Sequence, residues 1–135
     1  MEVFDLNNRK YKWKLHGYTV GCKHRDKVSN LHKQARQLLQ EVYPAHNILE
    51  EVPIPITKSQ KLYLDFYIPI LKLAIEVHGQ QHYEYSKFYH KSQLNFIQQL
   101  KNDVKKQQWC DKNHIELLIL PYNENINEWQ NKFTS

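Results

Sequence analysis

The sequence predicts a mixed α/β fold of the α+β kind, with one mixed β-sheet of about four strands flanked by helices. Three observations carry that expectation. Residues 61–68 and 71–78 alternate apolar and polar side chains and meet around Pro69, the pattern of a β-hairpin. A helical pattern from Ser92 to Lys112 leads into the continuous apolar run Ile115 to Leu120. Ahead of both, an amphipathic segment begins at Ser29 and stops before Pro44. A chain of 135 residues, 41% hydrophobic, suits a single core.

Each element has its own justification. Residues 1–28 are short alternating pieces punctuated by Gly17 and Gly21, read as a small hairpin, arm or extension. Ser29 suits an N-cap, and Leu31, Ala35, Leu38, Leu39 and Val42 follow on one helical face, leaving Lys33, Arg36 and Gln40 off it. Ile48 to Pro53 reads as a strand, with Pro53 and Pro55 favouring an edge position or the strand's end. In the next strand Leu62, Leu64, Phe66 and Ile68 share one face, while Lys61, Tyr63, Asp65 and Tyr67 share the other. Leu71, Leu73, Ile75 and Val77 then alternate with Lys72, Ala74, Glu76 and His78. The long helix is expected to turn Leu94, Ile97, Leu100 and Val104 inward, and the strand 115–120 to lie in the middle of the sheet. Glu124 to Phe133 suits a last short helix.

Charge divides the chain. Residues 1–36 hold nine Lys/Arg against three acids, a balance of +6, whereas residues 37–135 hold ten against eleven, a balance of −1. Arg9, Lys10, Lys12, Lys14, Lys23, Arg25, Lys27, Lys33 and Arg36, interleaved with Tyr11, Trp13 and Tyr18, suit a phosphate backbone with bases nearby. A solvated basic face that aids solubility has the same composition. Cys22 and Cys110 make no disulfide framework, which points to a reducing, cytoplasmic setting. No apolar run reaches the roughly 20 residues of a membrane span, and the first residues lack the order of a secretory signal.

The hairpin carries the chemistry. Asp65 on one strand and Glu76 on its neighbour are carboxylates able to hold a hard divalent cation, with His78 two residues on to manage a proton. Glu76 lies in the apolar run Ala74-Ile75-Glu76-Val77, where a charge needs a partner. A metal satisfies that need, and so does an ion pair with Lys61 or Lys72. Asp103 lies at helical spacing from Phe96 and Leu100, within reach of the site or of Lys106, three residues on.

Leu64-Asp65-Phe66, Ile75-Glu76-Val77-His78-Gly79-Gln80-Gln81-His82, Asn102-Asp103-Val104-Lys105-Lys106 and the strand Leu117 to Pro121 together resemble the PD-(D/E)XK nuclease superfamily. Within it they resemble the branch of very-short-patch mismatch-repair and phage homing endonucleases. The resemblance covers residues 29–122 and implies a restriction-endonuclease-like nuclease domain over 29–135, to which residues 1–28 stand as a basic arm or small extension. It implies a cytoplasmic, phage-type enzyme that hydrolyses DNA phosphodiester bonds with Mg²⁺ or Mn²⁺, a dimer being favoured where both strands are cut. Asp65 and Glu76 match the metal-binding carboxylates, and Val77 would add its backbone carbonyl. His82 matches a histidine that positions the nucleophile or protonates the leaving oxygen, with Gln81 and Asp103 in support. Lys105 and Lys106 would meet phosphate, and Glu41 stands for an acid on the first helix. His78 departs from the pattern, which has lysine across the superfamily and aspartate in many members of the branch. Its role is open between ligand, base and cation. That departure also suits an inactive nucleic-acid-binding module of the same fold, and nothing in the motif excludes RNA as substrate.

Other sites are disfavoured. His78 and His82 are four apart, but a glycine follows the first and a strand precedes it, unlike a helical zinc-peptidase motif. A structural zinc on Cys22, His24, Cys110 and His114 lacks finger spacing, so Cys110 reads as a buried small side chain. Neither a Gly-x-Ser-x-Gly turn nor a Gly-rich phosphate loop is present.

Overall fold

The computed structural model describes residues 1–15, 18–19, 29–86 and 92–133. A two-stranded antiparallel hairpin, β1 (Glu2–Phe4) and β2 (Lys10–Lys12), precedes a five-stranded mixed sheet. The sheet runs in order β3 (Tyr18–Thr19), β4 (Leu49–Pro55), β5 (Lys61–Ile68), β6 (Leu73–His78) and β7 (Glu116–Pro121). Neighbours are antiparallel except β6 and β7, which are parallel and joined through a long helix. The helices are α1 (Asn30–Val42), α2 (Gln93–Lys112) and α3 (Ile126–Asn131). The α+β class is therefore as the sequence predicts, with one very short strand added.

Local chemistry sets the boundaries. Ser29 caps α1 by accepting from the His32 N–H, Ser92 caps α2 through Asn95, and Asn125 caps α3 through Glu128. Among the described residues β3 pairs only with Leu49 and Glu50, so Pro53 and Pro55 are tolerated at the far end of β4. Pro69–Leu71 forms a 3₁₀ turn and Lys72 takes a left-handed φ of 50°, so β6 starts two residues later than its alternation suggests and Leu71 is exposed.

Two cores pack on the two faces of the sheet. Ala35, Leu38 and Leu39 of α1 and Trp129 of α3 pack with Phe66, Ile68, Leu73 and Ile75 on one face. Trp109 and Cys110 of α2 pack with Leu64, Tyr67, Val52, Ile54 and Ala74 on the other. Leu49 and Val52 share a face, as do Leu64 and Tyr67, although strict alternation would separate each pair. Side-chain alternation therefore breaks in both strands at Glu51 and Asp65, between the rungs Glu50↔Phe66 and Val52↔Leu64, while the pairing register stays the same. Glu51, at the break, has φ 52°. Tyr67 is consequently in the core and not beside Asp65 on an outer face, contrary to the sequence pattern.

Two further expectations are overturned. Strand β7 is an edge: among the described residues nothing pairs with its outer side, where α3 covers it instead. Trp129 Nε1 donates to the Pro121 carbonyl at 3.0 Å and Lys132 Nζ to that of Ile119 at 2.8 Å. In α2 the apolar stripe Leu94, Ile97, Leu100 and Val104 is exposed. The buried anchors Trp109 and Cys110 set the rotation of the helix, bringing Gln99, Asp103 and Lys106, at spacings of four and three, toward the sheet.

The N-terminal segment is no loose arm. Val3 and Trp13 are buried in the α2-side core, where Trp13 packs 4.8 Å from Tyr67 and 5.2 Å from Trp109, ring centre to ring centre. The Trp13 indole donates to the Pro53 carbonyl at 2.9 Å, so it is a core anchor and not a base-stacking residue. Asn113, just past α2, exchanges hydrogen bonds with both backbone groups of Phe4. Asp5 is buried and accepts from the Asn7 and Arg9 N–H groups and the Tyr11 hydroxyl. Arg36 is also withdrawn from the expected phosphate contacts. It and His32 hold the buried Glu50 carboxylate at 3.0 and 2.7 Å. Arg9, Lys10, Lys12, Lys14 and Lys33 are exposed. Lys23, Arg25 and Lys27, and the side chain of Tyr18, lie outside the described residues, as do Cys22 and His24.

Trp13→Ala should cost about 3–5 kcal/mol in urea denaturation, because it empties a packed site among Tyr67 and Trp109. A pH series tests Glu50. Burial opposes its charged form, but the hydrogen bonds from His32 and Arg36 outweigh burial and hold its carboxyl below the ordinary value of 4.5. Its contribution is therefore complete above that value and lost as pH falls through the folded one. Glu50→Gln should lack this acid-dependent part of the stability.

Candidate metal and nucleolytic site

The site begins where the ladder between β5 and β6 opens. Backbone pairing ends at Phe66↔Ile75, and the next opposed residues are Asp65 and Glu76. Their side chains replace the missing backbone partners. Glu76 Oε2 accepts from the Asp65 N–H at 2.6 Å, and Asp65 Oδ2 accepts from the Val77 N–H at 2.8 Å. The two carboxylates are thereby fixed by each other's strands, an arrangement that gives the Asp65 and Val77 amides acceptors at the split.

Glu76 is 2% exposed and receives a second hydrogen bond at its Oε1 from Lys106 Nζ, at 2.6 Å. The counter-charge is thus Lys106 of α2, not Lys61 or Lys72 of the strands. Burial, and then the charge of Asp65, push the Glu76 carboxyl up to about 8 against the pull of Lys106. Burial alone would lower the Lys106 ammonium, but Glu76, Asp65 and Asp103 outweigh it and hold it above its ordinary value. One ammonium faces more than one carboxylate, so the site retains a deficit of positive charge.

Across the cleft, His82 folds back from the 3₁₀ turn Gln80–His82 that follows Gly79. His82 Nδ1 lies 2.9 Å from Asp103 Oδ2, and its Nε2 lies 3.2 Å from the Gln99 side-chain nitrogen. With the Gln99 amide donating, Nε2 is the acceptor and Nδ1–H donates to Asp103. The His78 ring stacks on His82 with centres 4.1 Å apart and planes within 2°. Burial, then the neighbouring His82, lower His78 to about 4. It is therefore neutral near pH 7, and the cation beside Glu76 is Lys106, not His78.

Asp65, His82, Gln99, Asp103 and Lys106 line one cleft of about 440 Å³ with Glu51, Leu62, Tyr63 and Asn102, while buried Glu76 and His78 touch that lining through Asp65 and Lys106 and through His82. Of the expected site residues, Asp65, Glu76, His78, His82 and Asp103 come together. Val77 joins through its N–H to Asp65. Gln81 does not. It lines a second cleft of about 290 Å³ with Ser29, Leu31, Val77, Gly79 and Tyr122. A Cβ on Gly79 would strike the Gln81 amide, so glycine allows that side chain to lie against the backbone. Glu41 is exposed on α1, where Gln37 donates to it, and takes no part in the cleft. Lys105 donates to Gln60 at 2.9 Å.

Sequence reasoning missed Glu51, Gln99 and Asn102 as cleft residues and Lys106 as the partner of Glu76. The signal for the helix was present. Gln99, Asp103, Lys106 and Cys110 form one row at spacings of four, three and four, ending on a side chain the chemistry wanted buried. Cys110 is indeed fully buried, its thiol pushed up to about 12 by burial.

The carboxylates fit a hard divalent cation by their chemistry: two oxygen donors on adjacent strands, an excess of negative charge, and a buried glutamate whose ionisation the site resists. Removing one partner of the buried pair exposes its worth. Lys106→Met should destabilise the fold by about 3–5 kcal/mol, and adding Glu76→Gln should recover much of that loss in chemical denaturation.

No family model matches the chain, and no solved structure matches it. The chain is similar to three viral proteins. It is 35% identical over 72 residues to uncharacterized protein 307L of Invertebrate iridescent virus 6, covering 50% of this chain and 36% of that protein. It is 32% identical over 68 residues to uncharacterized protein 033L of Invertebrate iridescent virus 3, covering 50% and 34%. It is 42% identical over 65 residues to uncharacterized protein 094L of Frog virus 3 (isolate Goorha), covering 47% and 42%. The matched region thus spans less than half the length of each of these relatives. Among the described residues no helix is long and apolar enough to cross a membrane.

Proposed function

We propose that the protein is a metal-dependent endonuclease that hydrolyses DNA phosphodiester bonds. The observation that carries this reading is the opened β5/β6 ladder, where Asp65 and Glu76 are held side by side with Lys106, facing the His82–Asp103 pair. Asp65 and Glu76 would hold Mg²⁺ or Mn²⁺. The Val77 carbonyl is the further ligand expected from the resemblance to PD-(D/E)XK nucleases. When bound, the cation polarises the phosphate and acidifies a water.

The protein's own residues have separable tasks. Asp103 fixes the His82 tautomer, leaving Nε2 to take a proton from a water attacking phosphorus, while the opposite P–O bond breaks and the leaving oxygen takes a proton from solvent. Gln99, donating to the same nitrogen in the resting state, yields to that water. Lys106 supplies the positive charge that the superfamily motif places two residues after the glutamate, where this chain has neutral His78. It reaches the glutamate from α2 instead of from β6. Exposed Arg9, Lys10, Lys12, Lys14 and Lys33 supply phosphate contacts.

One cleavage panel tests the reading, with supercoiled, linear, branched and mismatched DNA and with RNA, each with and without Mg²⁺ or Mn²⁺. The expected result is metal-dependent cutting of DNA. Asp65→Asn and Glu76→Gln should each lower it by roughly 10³-fold or more, the several kcal/mol a bound cation supplies, while DNA binding stays within a few-fold. Parent-like cleavage by both variants overturns the mechanism. Cleavage of RNA alone makes the substrate RNA. Salt-sensitive, metal-indifferent binding without cleavage makes the protein a binding module.

A further inference from the structure

We propose that His78, His82 and Asp103 form a second cation site, for a zinc-type transition ion, separate from the Asp65–Glu76 carboxylates. One donor atom from each of the three side chains lies within 4.8 Å of the other two. They come from three places, the end of β6, the 3₁₀ turn after it and the middle of α2, so no single helical or strand spacing brings them together. His78 is 8% exposed, and the His82 and Asp103 side chains are 14% and 18% exposed, which shields the donors from bulk water while leaving a way in.

The donor set decides which ion fits. Two imidazoles and one carboxylate favour zinc, cobalt or nickel over magnesium, whereas Asp65 and Glu76 offer oxygen alone. The spacing is half made. Two adjacent ligands at about 2.0–2.1 Å from one ion stand roughly 3 Å apart, and His82 Nδ1 and Asp103 Oδ2 are already at 2.9 Å. Binding replaces the proton between these atoms by the ion, and that proton passes through solvent to His82 Nε2, so the metal-bound ring stays neutral. The remaining ring nitrogens have holders. Tyr83 Oη lies 3.5 Å from His78 Nδ1, and the Gln99 amide, turned to present its oxygen, accepts from His82 Nε2. The two rings are parallel, so their lone pairs do not converge while stacked. One ring must turn about its Cβ–Cγ bond, and the ion therefore opens the stack.

This inference shares His82 and Asp103 with the hydrolytic reading, because an ion on Nδ1 leaves Nε2 protonated and unable to take a proton from water. Its test does not measure cleavage. The full chain, in excess Mg²⁺, is titrated with Zn²⁺ by calorimetry and with Co²⁺ by visible absorption, with histidine ring-proton NMR in parallel. The expected result is one saturable equivalent, a nitrogen/oxygen Co²⁺ spectrum, and shifts of the His78 and His82 ring protons as the stack opens. His82→Gln and Asp103→Asn should each weaken binding by about tenfold or more, and Asp65→Asn should not. Three results overturn the proposal: no saturable binding in excess Mg²⁺, a thiolate charge-transfer band marking cysteine ligation, or binding that survives His82→Gln and Asp103→Asn or fails equally in Asp65→Asn. If a variant misfolds by circular dichroism, the parent protein's Co²⁺ spectrum and ring-proton shifts decide.

Discussion

Glu76 occupies a buried position on a strand that is otherwise apolar, and its carboxylate must find hydrogen bonds and positive charge there. It finds one hydrogen bond on the neighbouring strand, at the Asp65 amide, and its charge partner on a helix thirty residues further along the chain. Stranding such a group costs several kcal/mol, comparable to much of the stability of a small domain. The opened ladder and the paired break of side-chain alternation at Glu51 and Asp65 surround the same point. Together they turn Asp65 toward the cleft, where its Oδ2 ties down Val77 and the rest of its carboxylate faces Lys106 and His82.

The helix α2 shows how that requirement competes with hydrophobic burial. Its row Leu94, Ile97, Leu100 and Val104 has a spacing that ordinarily marks the inward face, yet it is exposed. The opposing row brings Lys106 to Glu76, Asp103 to His82, and Trp109 and Cys110 into the core. Trp109 buries more surface than any one residue of the exposed row could. The N-terminal hairpin then closes over Trp109 through Trp13, so the segment with the highest positive charge is built into the same core that supports the site.

That integration alters the meaning of the charge split. The +6 balance of residues 1–36 belongs to a segment with two functions. Arg36 is spent on buried Glu50, Asp5 organises the hairpin turn, and Lys10 pairs with Glu2. Arg9, Lys12 and Lys14 remain on the exposed side of a hairpin whose other side is core. A basic surface mounted on a packed hairpin holds its charges in fixed positions relative to the cleft, as a flexible arm does not.

Much of this was legible in the residues. The helix caps at Ser29 and Ser92, the hairpin at Pro69, the class of the fold and the pairing of Asp65 with Glu76 all follow from short-range chemistry: capping oxygens, fixed proline φ and two-residue alternation. Alternation failed at Tyr67 because its break at Glu51 and Asp65 leaves the apolar letters looking regular while moving them between faces. The rotation of α2, the exposed stripe, the edge position of β7 and the choice of Lys106 over Lys61 or Lys72 were decided only by tertiary structure. Sequence patterns count which residues are apolar, but the orientation of a helix depends on which buried charge it must reach and which aromatic it must bury, and those partners are distant in the chain.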